Sequence, residues 1–296
     1  MTSPLIDVPA LQDRLAAGQR IVLLDVRWVL GDPHGREHYL EGHLPGAVFV
    51  DLATELATPA GPSHGRHPLP SLPDFQETAR GWGINDGDAV VAYDDSGNMA
   101  AARLWWMLRN AGLQDVHLLD GGLAAWRGAG LSVETGPVAA AVGNVTFDAS
   151  SGGGQMRSID ANGAAGWAAT GILLDARAGE RYRGEFEPVD PRAGHIPGAV
   201  SAPTTANVDG AGRFLPAEAL RRRFEGLGIT ADVPVAVYCG SGVTAAHEVV
   251  ALEIAGFRAA LYPGSFSEWS NNPERPVATG GGPIGDAAAS GGSVAL

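Results

Sequence analysis

Short apolar runs alternate with longer stretches of helical spacing along this chain. Ile21–Asp25, apolar up to its closing aspartate, and Val90–Tyr93 have strand length, and their unbroken apolar character suits parallel strands buried on both faces. Pro9–Ala17 and Ala100–Asn110 have helical spacing, the second carrying Leu104, Trp105 and Leu108. Pro9 fits a first helical turn, where a missing N–H costs nothing. Strands alternating with helices predict an α/β fold, a mainly parallel sheet flanked by helices. In such sheets ligands bind beyond the carboxyl ends of the strands.

The pattern occurs twice. Leu23-Leu24-Asp25-Val26-Arg27 returns as Leu173-Leu174-Asp175-Ala176-Arg177, and Gly42-His43-Leu44-Pro45-Gly46-Ala47-Val48 as Gly194-His195-Ile196-Pro197-Gly198-Ala199-Val200. Val90–Tyr93 matches Val235–Tyr238, and Leu118–Trp126 matches Leu261–Trp269. The offsets are 150, 152, 145 and 143 residues, in the same order. Four short matches in register indicate a tandem duplication. The predicted organisation is a first domain over 1–133, a linker over 134–156 containing Ser150-Ser151-Gly152-Gly153-Gly154, a second domain over 157–277, and a mobile Gly-rich tail over 278–296.

Composition narrows the class. The 296 residues are 45% hydrophobic and 18% charged, as in a soluble globular protein. No run is apolar enough to cross a bilayer, and the N-terminus lacks the basic and apolar regions of a signal peptide, which predicts a cytoplasmic protein. A net charge of -13 argues against nucleic acid and anionic membranes as partners. A local arginine cluster could still receive an anionic substrate. The single cysteine, Cys239, excludes an internal disulfide and suits a reducing compartment.

A lone cysteine can be a small buried hydrophobe, but the surroundings of Cys239 favour reactivity. It directly follows the strand Val235–Tyr238 and precedes a helix expected over Ala245–Ala255, in the loop Cys239-Gly240-Ser241-Gly242-Val243-Thr244. Two glycines let the backbone curl so that several N–H groups face inward, a nest for an anion at a helix N-terminus. A thiolate held there becomes an available nucleophile, and the hydroxyls of Ser241 and Thr244 can add hydrogen bonds to the sulfur. The matching position in the first half is Asp94, so that half has no thiol.

The Leu-Leu-Asp-x-Arg strand, the Gly-His-[Leu/Ile]-Pro-Gly-Ala motif and a cysteine loop ending Gly-Val-Thr together resemble the tandem-domain rhodanese and 3-mercaptopyruvate sulfurtransferase family, over nearly the whole chain. The resemblance implies two rhodanese-like domains, the first inactive and the second catalytic, with the site between them. It also implies ping-pong chemistry without a cofactor or metal. Cys239 takes sulfur from a small anionic donor as a persulfide and passes it to a thiol acceptor such as thioredoxin, or to cyanide.

The resemblance bears on the donor too. Thiosulfate users of the family usually carry basic residues after the cysteine and mercaptopyruvate users Gly-Ser-Gly; this chain has Gly240-Ser241-Gly242. Mercaptopyruvate users hold the carboxylate with two arginines. The first corresponds to Arg181; the second should follow Glu187-Pro188, where Val189 stands, leaving Arg192 or Arg183 as substitutes. Those members also use a Ser-His-Asp arrangement, for which Ser241, His43 and Asp32 are the candidates. His43 has a copy at His195, so the motif also reads as a fold feature.

Several other readings are weaker. His64 and His67 have a metal-like spacing, but without a cysteine or carboxylate cluster they read as part of a loop ending Pro68-Leu69-Pro70. Trp105 and Trp106 read as core or interface. No glycine-rich nucleotide loop follows a strand. Cysteine-dependent phosphatases need an arginine six residues after the cysteine, where this chain has Ala245. A non-catalytic or redox-sensing module is the remaining alternative, and the intact cysteine loop argues against it.

Overall fold

The computed structural model describes residues 3–61, 63–147 and 156–284. It contains two parallel five-stranded sheets, one from each half of the chain. The first comprises β1 (Leu5–Ile6), β2 (Ile21–Asp25), β3 (Val48–Phe49), β4 (Ala89–Tyr93) and β5 (Val116–Leu119), in the order β1-β5-β4-β2-β3. The second comprises β6 (Arg157–Ser158), β7 (Ile172–Asp175), β8 (Val200–Ser201), β9 (Val235–Tyr238) and β10 (Ala259–Leu261), in the order β6-β10-β9-β7-β8. Equivalent strands occupy equivalent places, as a duplication requires. Every residue of the central strands β4 and β9 is buried, which explains their unbroken apolar character.

The repeated motifs hold each domain together in the same way. Arg27 Nη2 donates to Asp25 Oδ2 at 2.6 Å and to the Gly42 carbonyl at 2.9 Å. Arg177 Nη2 repeats this toward Asp175 Oδ2 and the Gly194 carbonyl, each at 2.6 Å. His43 stacks on Tyr39 and hydrogen-bonds its carbonyl through Nδ1 at 2.9 Å. His195 does the same with Tyr182 at 2.8 Å.

The domains meet through two helices. Ala101–Asn110 is buried at every position from Ala101 to Arg109, because it is covered by its own sheet and by the second domain's helix Thr244–Ile254. Its arginines, Arg103 and Arg109, are buried along with its tryptophans. Trp105 Nε1 donates to the Val116 carbonyl at 3.1 Å.

The connecting segments are more tightly held than their composition suggests. Glu134 bridges to His43, and Gly143 and Val145 donate backbone N–H groups to the Arg80 and Ile84 carbonyls. The segment expected to be a linker from 134 thus runs along the first domain through 147, burying Val145 and Phe147. Ser150–Gly154 lies outside the described residues. The start of the expected mobile tail is likewise docked, because Ala278 pairs with His195 and the Pro283 carbonyl accepts from Gly198 N. Residues 285–296 lie outside the described residues.

Candidate active site

Cys239 sits where β9 ends, and the helix Thr244–Ile254 begins five residues later. The intervening loop is fixed from below: Ser265 Oγ accepts from Cys239 N at 3.1 Å, and the Cys239 and Gly240 carbonyls accept from Phe266 N and Ser267 N. Gly242 has φ +77, and a Cβ there would lie 2.3 Å from the Pro263 carbonyl oxygen, so only glycine fits. This turn brings Gly242 N to 3.2 Å from Cys239 Sγ, a direct hydrogen bond to the sulfur. Val243 and Thr244 complete the loop and, with Cys239, Gly240 and Ser241, line a cavity of about 270 Å³ between the domains. Arg66, Arg177 and Arg181 also line it.

Besides Trp28, Leu30 and Met99, which line the cavity, the first domain contributes three basic side chains to this site. His67 Nδ1 lies 2.8 Å from Ser241 Oγ. Burial, reinforced by the Arg103 and Arg66 cations, brings His67 down from the ordinary 6.5 to about 4, so its ring is neutral near pH 7. Arg103, on the helix Ala101–Asn110, is fully buried and donates to the Leu56, His67 and Gly242 carbonyls. Among the described residues no carboxylate pairs with it. Desolvation brings it down to about 10, and the charge of Cys239 opposes that fall. The third is Arg66, whose Nη1 is ion-paired with Asp190 Oδ1.

Of the three arginines predicted from sequence to bind substrate, only Arg181 lines the cavity. It holds Glu187 at 2.6 Å and Asp190 at 3.0 Å. Burial pushes Asp190 up despite Arg66 and Arg181 beside it. For Glu187, hydrogen bonds from Arg181 and two backbone N–H groups outweigh burial and hold it below its ordinary value. Arg192 is elsewhere. Its guanidinium donates to the Trp269, Ser270, Asn272 and Arg275 carbonyls, where it ties off the end of the helix Ser265–Asn271. Arg183 is 42% exposed and pairs with Glu185 on the surface.

The expected histidine and aspartate are also displaced. His43 is fully buried in its own domain and does not line the cysteine cavity. Its stacking matches that of His195, so the motif is structural. Asp32 lies in a separate cavity of about 230 Å³ with His38, Arg27 and Asp95, paired with His38 at 3.0 Å. The histidine beside Ser241 is His67, from a segment that reads in sequence as a plain loop. His64 Nδ1 lies 3.1 Å from the hydroxyl of its neighbour Ser63 instead.

In the first domain, Asp94 occupies the cysteine's place. Its Oδ1 accepts from Ser96 N and Asn98 N, and its Oδ2 from Ala100 N and Ala101 N, at 2.7 to 3.1 Å. The nest persists there, filled by a carboxylate instead of sulfur.

Comparison with known proteins agrees with this architecture. The Rhodanese-like domain family matches residues 7–129 and again 159–272. A Mycobacterium tuberculosis (strain H37Rv) protein named "Putative thiosulfate sulfurtransferase SseB" is 48% identical over 93% of this chain and 97% of its own length. A Pseudomonas aeruginosa protein named "Probable 3-mercaptopyruvate sulfurtransferase" is 45% identical over 94% of this chain and 99% of its own. The crystal structure of SseA from Escherichia coli, described as a 3-mercaptopyruvate sulfotransferase, superposes with a TM-score of 0.76 at 32% identity, covering 90% of this chain and all of that one.

Proposed function

The chain belongs to the rhodanese-like family, and on that premise we propose that it is a sulfurtransferase carrying sulfur on Cys239 as a persulfide. The observation that carries this reading is the Gly242 N–H directed at Cys239 Sγ at the floor of the interdomain cavity. A backbone donor fixed on Sγ stabilises negative charge on the thiolate before sulfur is taken up and after it is passed on.

Mercaptopyruvate is the favoured donor, on grounds of charge. Around the cavity Arg66, Arg177 and Arg181 are matched by Asp175, Glu187 and Asp190. Arg103 is left to balance the Cys239 thiolate. A monocarboxylate adds one negative charge to this balanced set, whereas thiosulfate adds two. The Gly240-Ser241-Gly242 loop contributes no cation of its own.

In the proposed reaction the Cys239 thiolate attacks the donor sulfur. The S–S bond forms, the C–S bond breaks, and its electron pair passes to carbon as the enolate of pyruvate. The proton on the donor sulfur balances the one the enolate takes up at C3. Neutral His67, bonded to Ser241, is suited to carry it between them. An acceptor thiolate then attacks the outer sulfur and frees the Cys239 thiolate.

Intact mass measurement tests this reading. The reduced protein should gain one sulfur atom from mercaptopyruvate, and Cys239→Ser should gain none. No adduct from either mercaptopyruvate or thiosulfate overturns it, and faster loading from thiosulfate reverses the donor preference.

A further inference from the structure

A carboxylate donor calls for a second guanidinium, and the second domain's other cavity-lining arginine, Arg177, is committed to Asp175, Glu187 and the Gly194 carbonyl. Val189 stands at the expected position, Arg192 is bound to four carbonyls, and Arg183 is paired on the surface. We propose that Arg66, from the first domain, is that second guanidinium, so that the donor's carboxylate is clamped between Arg66 and Arg181 across the domain interface. This rests on the sulfurtransferase reading and adds to it a binding residue and the side from which it comes.

Four observations carry the assignment. Both arginines line the cysteine cavity. They converge on one point beside the residue after the cysteine: a Cβ on Gly240 would lie 2.8 Å from Arg66 Nη2 and 3.5 Å from Arg181 Nη1. Asp190 braces the pair, taking Arg66 on one carboxylate oxygen and Arg181 on the other. Arg66 Nε is buried and has no hydrogen-bond partner among the described residues. A buried guanidinium N–H without an acceptor is costly unless a ligand supplies one.

The backbone supports the same conclusion. Gly65 has φ +79, and a Cβ on it would lie 2.7 Å from both the Gly264 carbonyl oxygen and Ser267 Oγ. Arg66 N donates to that same Ser267 Oγ at 3.1 Å, and the next residue, His67, reaches Ser241. The segment 65–67 is therefore pressed onto the second domain at three consecutive residues, delivering a guanidinium and an imidazole together. The planar fork of arginine suits a carboxylate held in two-point contact.

Alkylation of Cys239 tests the clamp without relying on sulfur transfer. The Cys239 sulfur displaces iodide from both iodoacetate and iodoacetamide, and only the first carries a carboxylate. The ratio of their rate constants should fall about tenfold in Arg66→Gln and less in Arg66→Lys, which keeps the charge but not the fork. KM for mercaptopyruvate should rise in the same order. An unchanged ratio and KM in both variants overturns the clamp even if the wild type loads sulfur. A wild type that loads no sulfur, with the ratio still falling, overturns the sulfurtransferase reading and leaves the anion site standing. Should Arg66→Gln misfold, the Arg66→Lys ratio decides.

Discussion

Ser241 Oγ lies 2.8 Å from His67 Nδ1, a contact between the two domains that spans 174 residues of chain. Neither domain holds the site alone. The second supplies the cysteine loop and Arg181, and the first supplies His67, Arg66 and Arg103. Docking the helices Ala101–Asn110 and Thr244–Ile254 therefore assembles the chemistry as well as burying apolar surface.

The pair separates the two donors. Pyruvate leaves as an enolate that needs a proton, whereas sulfite leaves thiosulfate without one. His67→Gln and Ser241→Ala should each slow single-turnover sulfur loading from mercaptopyruvate by about 100-fold. Loading from thiosulfate should change by less than about fivefold. Equal losses with both donors would assign the pair to positioning the loop instead.

Arg103 should behave differently, because it serves the nucleophile shared by every reaction. It is a fully buried cation with no carboxylate partner among the described residues, and it holds the Gly242 carbonyl at 3.2 Å. Arg103→Gln should slow mercaptopyruvate, thiosulfate and iodoacetamide by similar factors, about tenfold or more. A loss confined to one reagent contradicts that role. Parallel alkylation and mass measurements decide it.

Much of this was legible in sequence, and the gaps have identifiable causes. The duplication located both sheets, and β2 and β9 fall where unbroken apolar runs place them. Cys239 stood out as the single cysteine, in a glycine-rich loop between a strand and a helix. His67 read as part of a plain loop, although the repeat carried a signal for its segment. The repeat offset falls from 152 to 145 between the Gly-His motif and the central strand, so the first half carries seven extra residues there, and the segment delivering Arg66 and His67 lies in that interval. His43 was the candidate because it matches the histidine that the family resemblance implies, yet its copy His195 performs the same stacking. Arg192 could not be excluded by spacing, since the carbonyls that occupy it come from a helix end some 80 residues later. A contact between domains leaves no periodicity in either one.

Asp94 gives a stability prediction. Its fully buried carboxylate satisfies four backbone N–H groups of the loop that follows it. Asp94→Ala leaves those donors without their acceptor and should cost about 2–4 kcal/mol in denaturant unfolding. A loss below about 0.5 kcal/mol would mean that the loop rearranges freely.

His247 gives a prediction for stability in acid. It lies fully buried in the helix Thr244–Ile254, stacked on Phe214, with Nδ1 2.7 Å from Thr204 Oγ1 and Nε2 3.1 Å from the Gly97 carbonyl across the interface. Glu248, paired with Arg223 and Asn207, is its charged neighbour. Burial brings His247 from the ordinary 6.5 down to about 3, the Gly97 hydrogen bond opposing and Arg223 assisting. Between those values the unfolded chain binds a proton that the folded chain refuses, so stability falls as pH falls, at up to about 1.4 kcal/mol per pH unit. His67 adds a loss of the same sign down to about 4. Asp25, raised by burial to about 6, acts in the opposite direction, and its contribution cancels when wild type is compared with His247→Gln. The wild type should lead that variant by about 1–2 kcal/mol at pH 8, from its interdomain hydrogen bond. The lead should shrink and then reverse on acidification from pH 6.5 to pH 4. A difference that stays constant with pH, measured by denaturant unfolding at each pH, would show that the His247 site admits a proton in the folded state.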